Sequence, residues 1–208
     1  MSPVVPPAVH RSTRRVLLSA VAALSLVAVP TTAHAETSTF HRFEANAVAI
    51  YRAVTQLCDD GTTSRLGFRV TGGHEEESED GVITEDDDFL TVFVSGTDCG
   101  GVFVSDTGTG DATFTWSPSL QTASVSGTVT TRNTGRSITA NLSWQATGPL
   151  EVDTNTTTFP GFVGIFVGQR RDAVATGTVV LDGRQVVNGS TAEAQIETLE
   201  DTNIRTPS

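Results

Sequence analysis

The sequence contains no lysine; all 13 of its basic residues are arginine. That bias marks GC-rich coding and points to a bacterial source. Histidine is also scarce. Of four, His10 and His34 fall in the first 35 residues, which leaves His41 and His74 for the rest of the chain. A zinc centre needs three or four convergent ligands, and two histidines supply little toward one. A Ser-His-Asp relay needs a base held by a third group, and no G-x-S-x-G turn is present to display a serine. Long apolar runs are missing too. The longest, residues 16–29, has 14 residues, against the roughly 20 that a membrane span requires.

What is present begins with an export address. Arg11, Arg14 and Arg15 precede the apolar run, and Ala33-His34-Ala35 has the small-x-small cleavage pattern. The pattern predicts a signal peptide over 1–35, cleaved after Ala35, and a secreted product with no membrane span. "TRRVLL" at 13–18 also fits a twin-arginine signal, although general secretion is the plainer reading. The remaining 173 residues suit one domain, here read as 36–200 followed by a polar tail at 201–208.

Charge is uneven. From residue 36 on, 10 arginines face 24 carboxylates, a net −14. Nine of those carboxylates lie in one stretch, "GGHEEESEDGVITEDDDF". No cluster of cations offers a seat for nucleic acid or an anionic membrane. Like-charged blocks are usually solvated, so the acidic run at 72–88 reads as a loop between two strands. Its competing reading is a calcium site, since calcium takes six to eight oxygens. The candidates are Asp86 and Asp88, which share a side of an incoming strand, together with Asp106 and Asp111 of "SDTGTGD". That second stretch reads more simply as a turn. No other cofactor is expected.

Period-two alternation recurs along the chain. "ASVSGTVT" (123–130) and "SITANLSWQAT" (137–147) place apolar residues on one face and hydroxyls on the other, as half-buried strands do. Further strands are expected near 43–55, 64–71, 89–95, 101–105, 112–116, 162–167, 173–181 and 192–198. Turn pairs are expected at Asp60-Gly61, Thr109-Gly110, Thr134-Gly135, Pro160-Gly161, Asp182-Gly183 and Asn188-Gly189. Many short strands without intervening helices predict an all-β, antiparallel sandwich, with an open barrel as the alternative. Trp116 and Trp144 are in phase with apolar neighbours and read as core. "QRRD" (169–172) reads as a solvated strand entrance. Cys58 and Cys99, the only cysteines, are expected to form one disulfide in an exported chain.

Several stretches, among them "VFVSGTDCGG", "SLQTASVSGTV", "ITANLSWQATGPL" and "RRDAVATGTV", resemble a group of uncharacterised secreted β-sheet proteins of bacteria. The resemblance implies an all-β fold with one disulfide and brings no activity or catalytic residues. Functionally, the expectation is a non-enzymatic exported module that binds an extracellular protein or glycan or contributes to the cell exterior. One alternative is a calcium-dependent adhesion module. Another is a small glycan hydrolase using carboxylates outside the acidic run, such as Glu44, Glu151, Asp153 or Asp172, across an aromatic groove.

Overall fold

The computed structural model describes residues 36–207. The expected signal peptide at 1–35 lies outside the described residues. Within them the chain forms nine strands: β1 (Ser38–Leu57), β2 (Thr63–Glu79), β3 (Val82–Thr97), β4 (Phe103–Trp116), β5 (Thr122–Thr130), β6 (Ser137–Ala146), β7 (Glu151–Phe159), β8 (Phe162–Leu181) and β9 (Arg184–Arg205). Their order is β6-β5-β4-β3-β2-β1-β9-β8-β7, and a further pairing joins β6 to β8. That pairing, from Ile138 opposite Leu181 to Ala146 opposite Ala173, closes eight strands into an antiparallel barrel. β7 stays outside the closure as the hairpin partner of β8.

The expected sandwich is therefore corrected to a closed barrel. Alternation gives the same pattern in both architectures, because each buries every second side chain. Closure depends on β8 bypassing its hairpin partner to reach β6, and no local signal marks that choice.

The barrel interior is filled. On β6, Ile138, Ala140, Leu142 and Trp144 are buried while Ser137, Thr139, Asn141 and Ser143 face water. Leu66, Phe68, Val70, Leu90, Val92 and Val94 line the adjoining walls of β2 and β3. Each such side chain contributes about 1.5–3 kcal/mol on burial. Small residues let the opposite walls approach. A Cβ placed on Gly72 of β2 would stand 2.6 Å from Cβ of Val125 on β5. The indole N–H of Trp144 crosses to the carbonyl of Val48 on β1 at 2.9 Å.

At one end the Cys58–Cys99 disulfide, with Cα atoms 5.5 Å apart, ties the β1–β2 connection to the β3–β4 connection. At the other, Leu120 is fully buried in the β4–β5 turn. Arg171 holds that turn by donating to the carbonyls of Ser119 and Gly148.

Several local expectations change. The acidic run is no loop: β2 continues to Glu79 and β3 starts at Val82. Asp80 and Gly81 both have positive φ, 51° and 78°, and close a two-residue hairpin. "SDTGTGD" lies inside β4, and Asn188-Gly189 lies inside β9, so neither these nor Thr109-Gly110 are turns. β9 runs to Arg205, which absorbs most of the expected tail. "QRRD" sits in mid-β8 rather than at its entrance. β7 went unmarked because "EVDTNTTTF" is exposed on both faces and has no apolar period.

Candidate functional site

Five strands outrun the barrel at the end opposite the disulfide, and β7 joins them there. β3, β2, β1, β9, β8 and β7 continue side by side as an open arm, with Phe40 opposite Glu79 and Asn203, and Gly164 opposite Asn203 and Thr157. Its two edges are the tip of β3 and the whole of β7. Strand pleating assigns alternate residues to two faces, one continuous with the barrel interior and one with its exterior.

At the root of the inner face lies the cluster richest in functional groups. His74 on β2 pairs across to Asp88 on β3, and the two side chains meet at 3.0 Å between Nδ1 and Oδ1. The other oxygen of Asp88 accepts the backbone N–H of Phe114 at 3.0 Å. Asp86 stands 3.8 Å from the same imidazole nitrogen. Trp116 stacks on the imidazole with ring centres 4.8 Å apart, and on Phe114 and Phe43 at 5.7 and 5.9 Å. Trp116 is thus a partly buried platform at the barrel mouth rather than core, while Trp144 is core, as expected. Asp88 fixes the ring of His74, and the other polar partner near it among the described residues is Asp86. This set orients an imidazole, and no hydroxyl among the described residues hydrogen-bonds to it.

The four expected cation ligands do not converge. Asp86 and Asp88 share the inner face beside His74. Asp106 is covered by the β5–β6 connection, where Asn133 and Thr134, with Thr107 of its own strand, occupy its oxygens. Asp111 points to the exterior opposite Phe89. No group of three or more His, Cys, Asp or Glu among the described residues is placed to hold a metal ion.

The acidic strands bring like charges face to face: Glu75 with Asp87, Glu76 with Asp86, Glu77 with Glu85. Such pairs oppose strand pairing. Arg42 on β1 offsets them on the outer face, reaching Glu44 at 2.9 Å, Glu75, and Glu77 at 3.6 Å. Burial alone would lower the pKa of this guanidinium, but the three carboxylates outweigh it and the net shift is upward.

The outer face of β7, β8 and β9 holds a groove of about 480 Å³ around Phe166, Leu199, Asp153 and Glu197. A second depression of about 220 Å³, also lined by Phe166, adds Asn155, Thr157, Asp201 and Asn203. Glu197 is partly buried, and that burial, more than its neighbour Glu44, lifts its pKa against the opposing pull of Arg69 and Arg170. Arg170 is held by Glu151, its Nε donating at 2.7 Å. Of the carboxylates weighed from sequence, Glu151 and Asp153 line this groove, while Asp172 does not. Sequence reasoning missed the groove because its floor residues Phe166 and Gly168 belong to a stretch, 164–168, that reads as an ordinary strand.

No protein-family model matches the chain, and no curated protein matches it. A solved structure of a "putative AttH" from Nitrosomonas europaea aligns at 12% identity over 82% of this chain and 52% of that one, with a TM-score of 0.23. The chain thus spans about half the length of that protein, and a likeness of this degree carries no argument about fold or function.

Proposed function

We propose that this chain is an exported, non-enzymatic binding module of the cell exterior, and that its ligand engages the open arm rather than the barrel. The observation that carries the proposal is the contrast between the two parts. The barrel is filled from wall to wall, with Trp144 bonded across it to β1. The arm carries two uncovered sheet faces on which aromatic rings stand among polar groups. The disulfide supports an oxidising compartment. The arrangement of His74 supports a positioning role, since its ring is clamped between Asp88 and Trp116.

The test is a turnover assay. Pure protein comprising residues 36–208 is incubated with neutral polysaccharides and with short-chain esters. The expected result is no product above blank. Product formation that disappears in His74→Ala or in Glu197→Gln would replace the binding reading with an enzymatic one.

A further inference from the structure

Resting on the reading of the arm as the binding surface, we propose that the outer face of β7, β8 and β9 is a platform for neutral polysaccharides, with Phe166 and Phe162 as its stacking rings. The floor decides the shape. Phe162 and Phe166 lie on one face of β8, four residues and hence about 13–14 Å apart. Each is followed two positions later by a glycine. A Cβ on Gly164 would stand 3.2 Å from the ring of Phe162, and one on Gly168 would stand 3.4 Å from the ring of Phe166. Both rings therefore lie back along the strand over a bare backbone. Both phenylalanines stay partly exposed. A side chain in place of either glycine would tip its ring upright.

A flat, uncharged ring face suits the C–H face of a hexopyranose, which is apolar while its rim carries hydroxyls. The rim here supplies matching partners. Asn155 of β7 and Asp201 of β9 sit directly opposite Phe166, and Thr157 and Asn203 sit directly opposite Gly164. Carboxamides both donate and accept, carboxylates accept, and hydroxyls do both, which is the mixed set a sugar hydroxyl needs. Phe159 extends the row at the hairpin tip, its ring 6.4 Å from that of Phe162. The surrounding charge selects the class of glycan. Glu151, Asp153, Glu197 and Asp201 face this strip, together with Arg170, which is engaged by Glu151, and Arg205, which sits opposite Phe162. The four carboxylates outnumber the two arginines, so uronic-acid and sulfated chains are disfavoured there and uncharged ones are not.

The test is affinity electrophoresis of the chain from residue 36 through gels containing hydroxyethyl cellulose, xylan, pullulan or alginate. The expected result is retardation by at least one of the three neutral polymers and none by alginate. Phe166→Ala should weaken the retardation at least tenfold while Phe166→Trp retains it. Asn155→Ala combined with Asn203→Ala, which leaves the rings in place, should weaken it several-fold and guards against misfolding of the ring variant. Free migration of the unmodified protein in all three neutral gels overturns the proposal. So does retardation that a natively folded Phe166→Ala preserves. If such retardation is instead lost in Trp116→Ala, the inner face is the binding face; the arm then stands as the binding surface and this placement falls. Hydrolysis of the retarding polymer would instead strike at the non-enzymatic reading.

Discussion

The indole N–H of Trp144 on β6 donates to the carbonyl of Val48 on β1, a 2.9 Å bond between residues 96 positions apart in sequence. It spans the barrel and sits within a closed apolar interior, so neither group has water as a substitute. Trp144→Phe should cost about 0.5–1.5 kcal/mol by removing that hydrogen bond. Trp144→Ala should cost about 3–5 kcal/mol because a cavity is added. Urea denaturation of the two variants measures both, and a loss near zero in Trp144→Phe would mean that the hydrogen bond contributes little.

Asp106 should behave as a structural acid. Burial by itself would raise its pKa, but the Thr134 hydroxyl and the N–H groups of Asn133, Thr134 and Thr107 donate to the carboxylate and hold it well below the usual range. A depressed pKa stabilises the fold above the unfolded value, near pH 4, and that contribution fades as pH falls further toward the folded value. Asp106→Asn should lower Tm at neutral pH by about 5 °C and flatten the acid limb of a melting series. An unchanged acid limb would remove Asp106 from this role.

Tyr51 is the only tyrosine. Its hydroxyl is buried without a partner, and burial pushes its pKa up to about 12. Tyr51→Phe should therefore be neutral or stabilising by up to about 1 kcal/mol. The raised pKa also makes the fold lose stability as pH rises from about 10 toward the folded value. Phenolate absorbance reports this single group directly, and titration near pH 10 in the native protein would contradict its burial.

Arg42 should set the order of the acidic hairpin. Arg42→Gln leaves the facing pairs of β2 and β3 uncompensated on the outer side. The side chain is partly open to solvent, so the loss is about 0.5–1 kcal/mol. Hydrogen exchange over residues 75–79 and 82–88 should quicken about two- to fivefold, with the barrel strands unaffected and the difference shrinking as salt is added. Uniform quickening throughout would show that the hairpin and barrel open together.

The disulfide is expected to act at the opposite end. Cys58→Ser with Cys99→Ser frees a closed loop of about 40 residues and should cost about 4 kcal/mol in denaturant unfolding. A loss below about 1 kcal/mol would place the constraint elsewhere.

How far the sequence was legible follows from what burial does to a strand. β5 and β6 could be read residue by residue because Val125, Leu142 and Trp144 alternate with hydroxyls. The Cys58–Cys99 bridge was equally plain, two thiols having one pairing. β7 could not be read, since a strand with no buried face has no period. The acidic hairpin misled for a related reason: its stabilisation comes from Arg42, which lies some 30 residues upstream, and from continuity with buried β2 and β3, not from its own composition. The meeting of His74 with Asp88 followed from register, which no single strand specifies. The platform glycines look like interruptions until their neighbours are known to be phenylalanines on the same face.

The arm's two borders are dressed differently. Along the tip of β3 stand Glu85, Asp86 and Asp87, and a strand arriving there meets a fence of negative charge. Along β7 run Thr154, Asn155, Thr156, Thr157 and Thr158, without a charge, a proline or a lysine among them. The barrel parts only where β1 beyond Ala49 and β9 before Ala194 leave their shared ladder, and there Arg52 is tied to Glu193. Of the arm's two borders, then, β7 is the rail that would admit a strand from a partner or from another copy, and a proline at Thr156 would be the way to shut it.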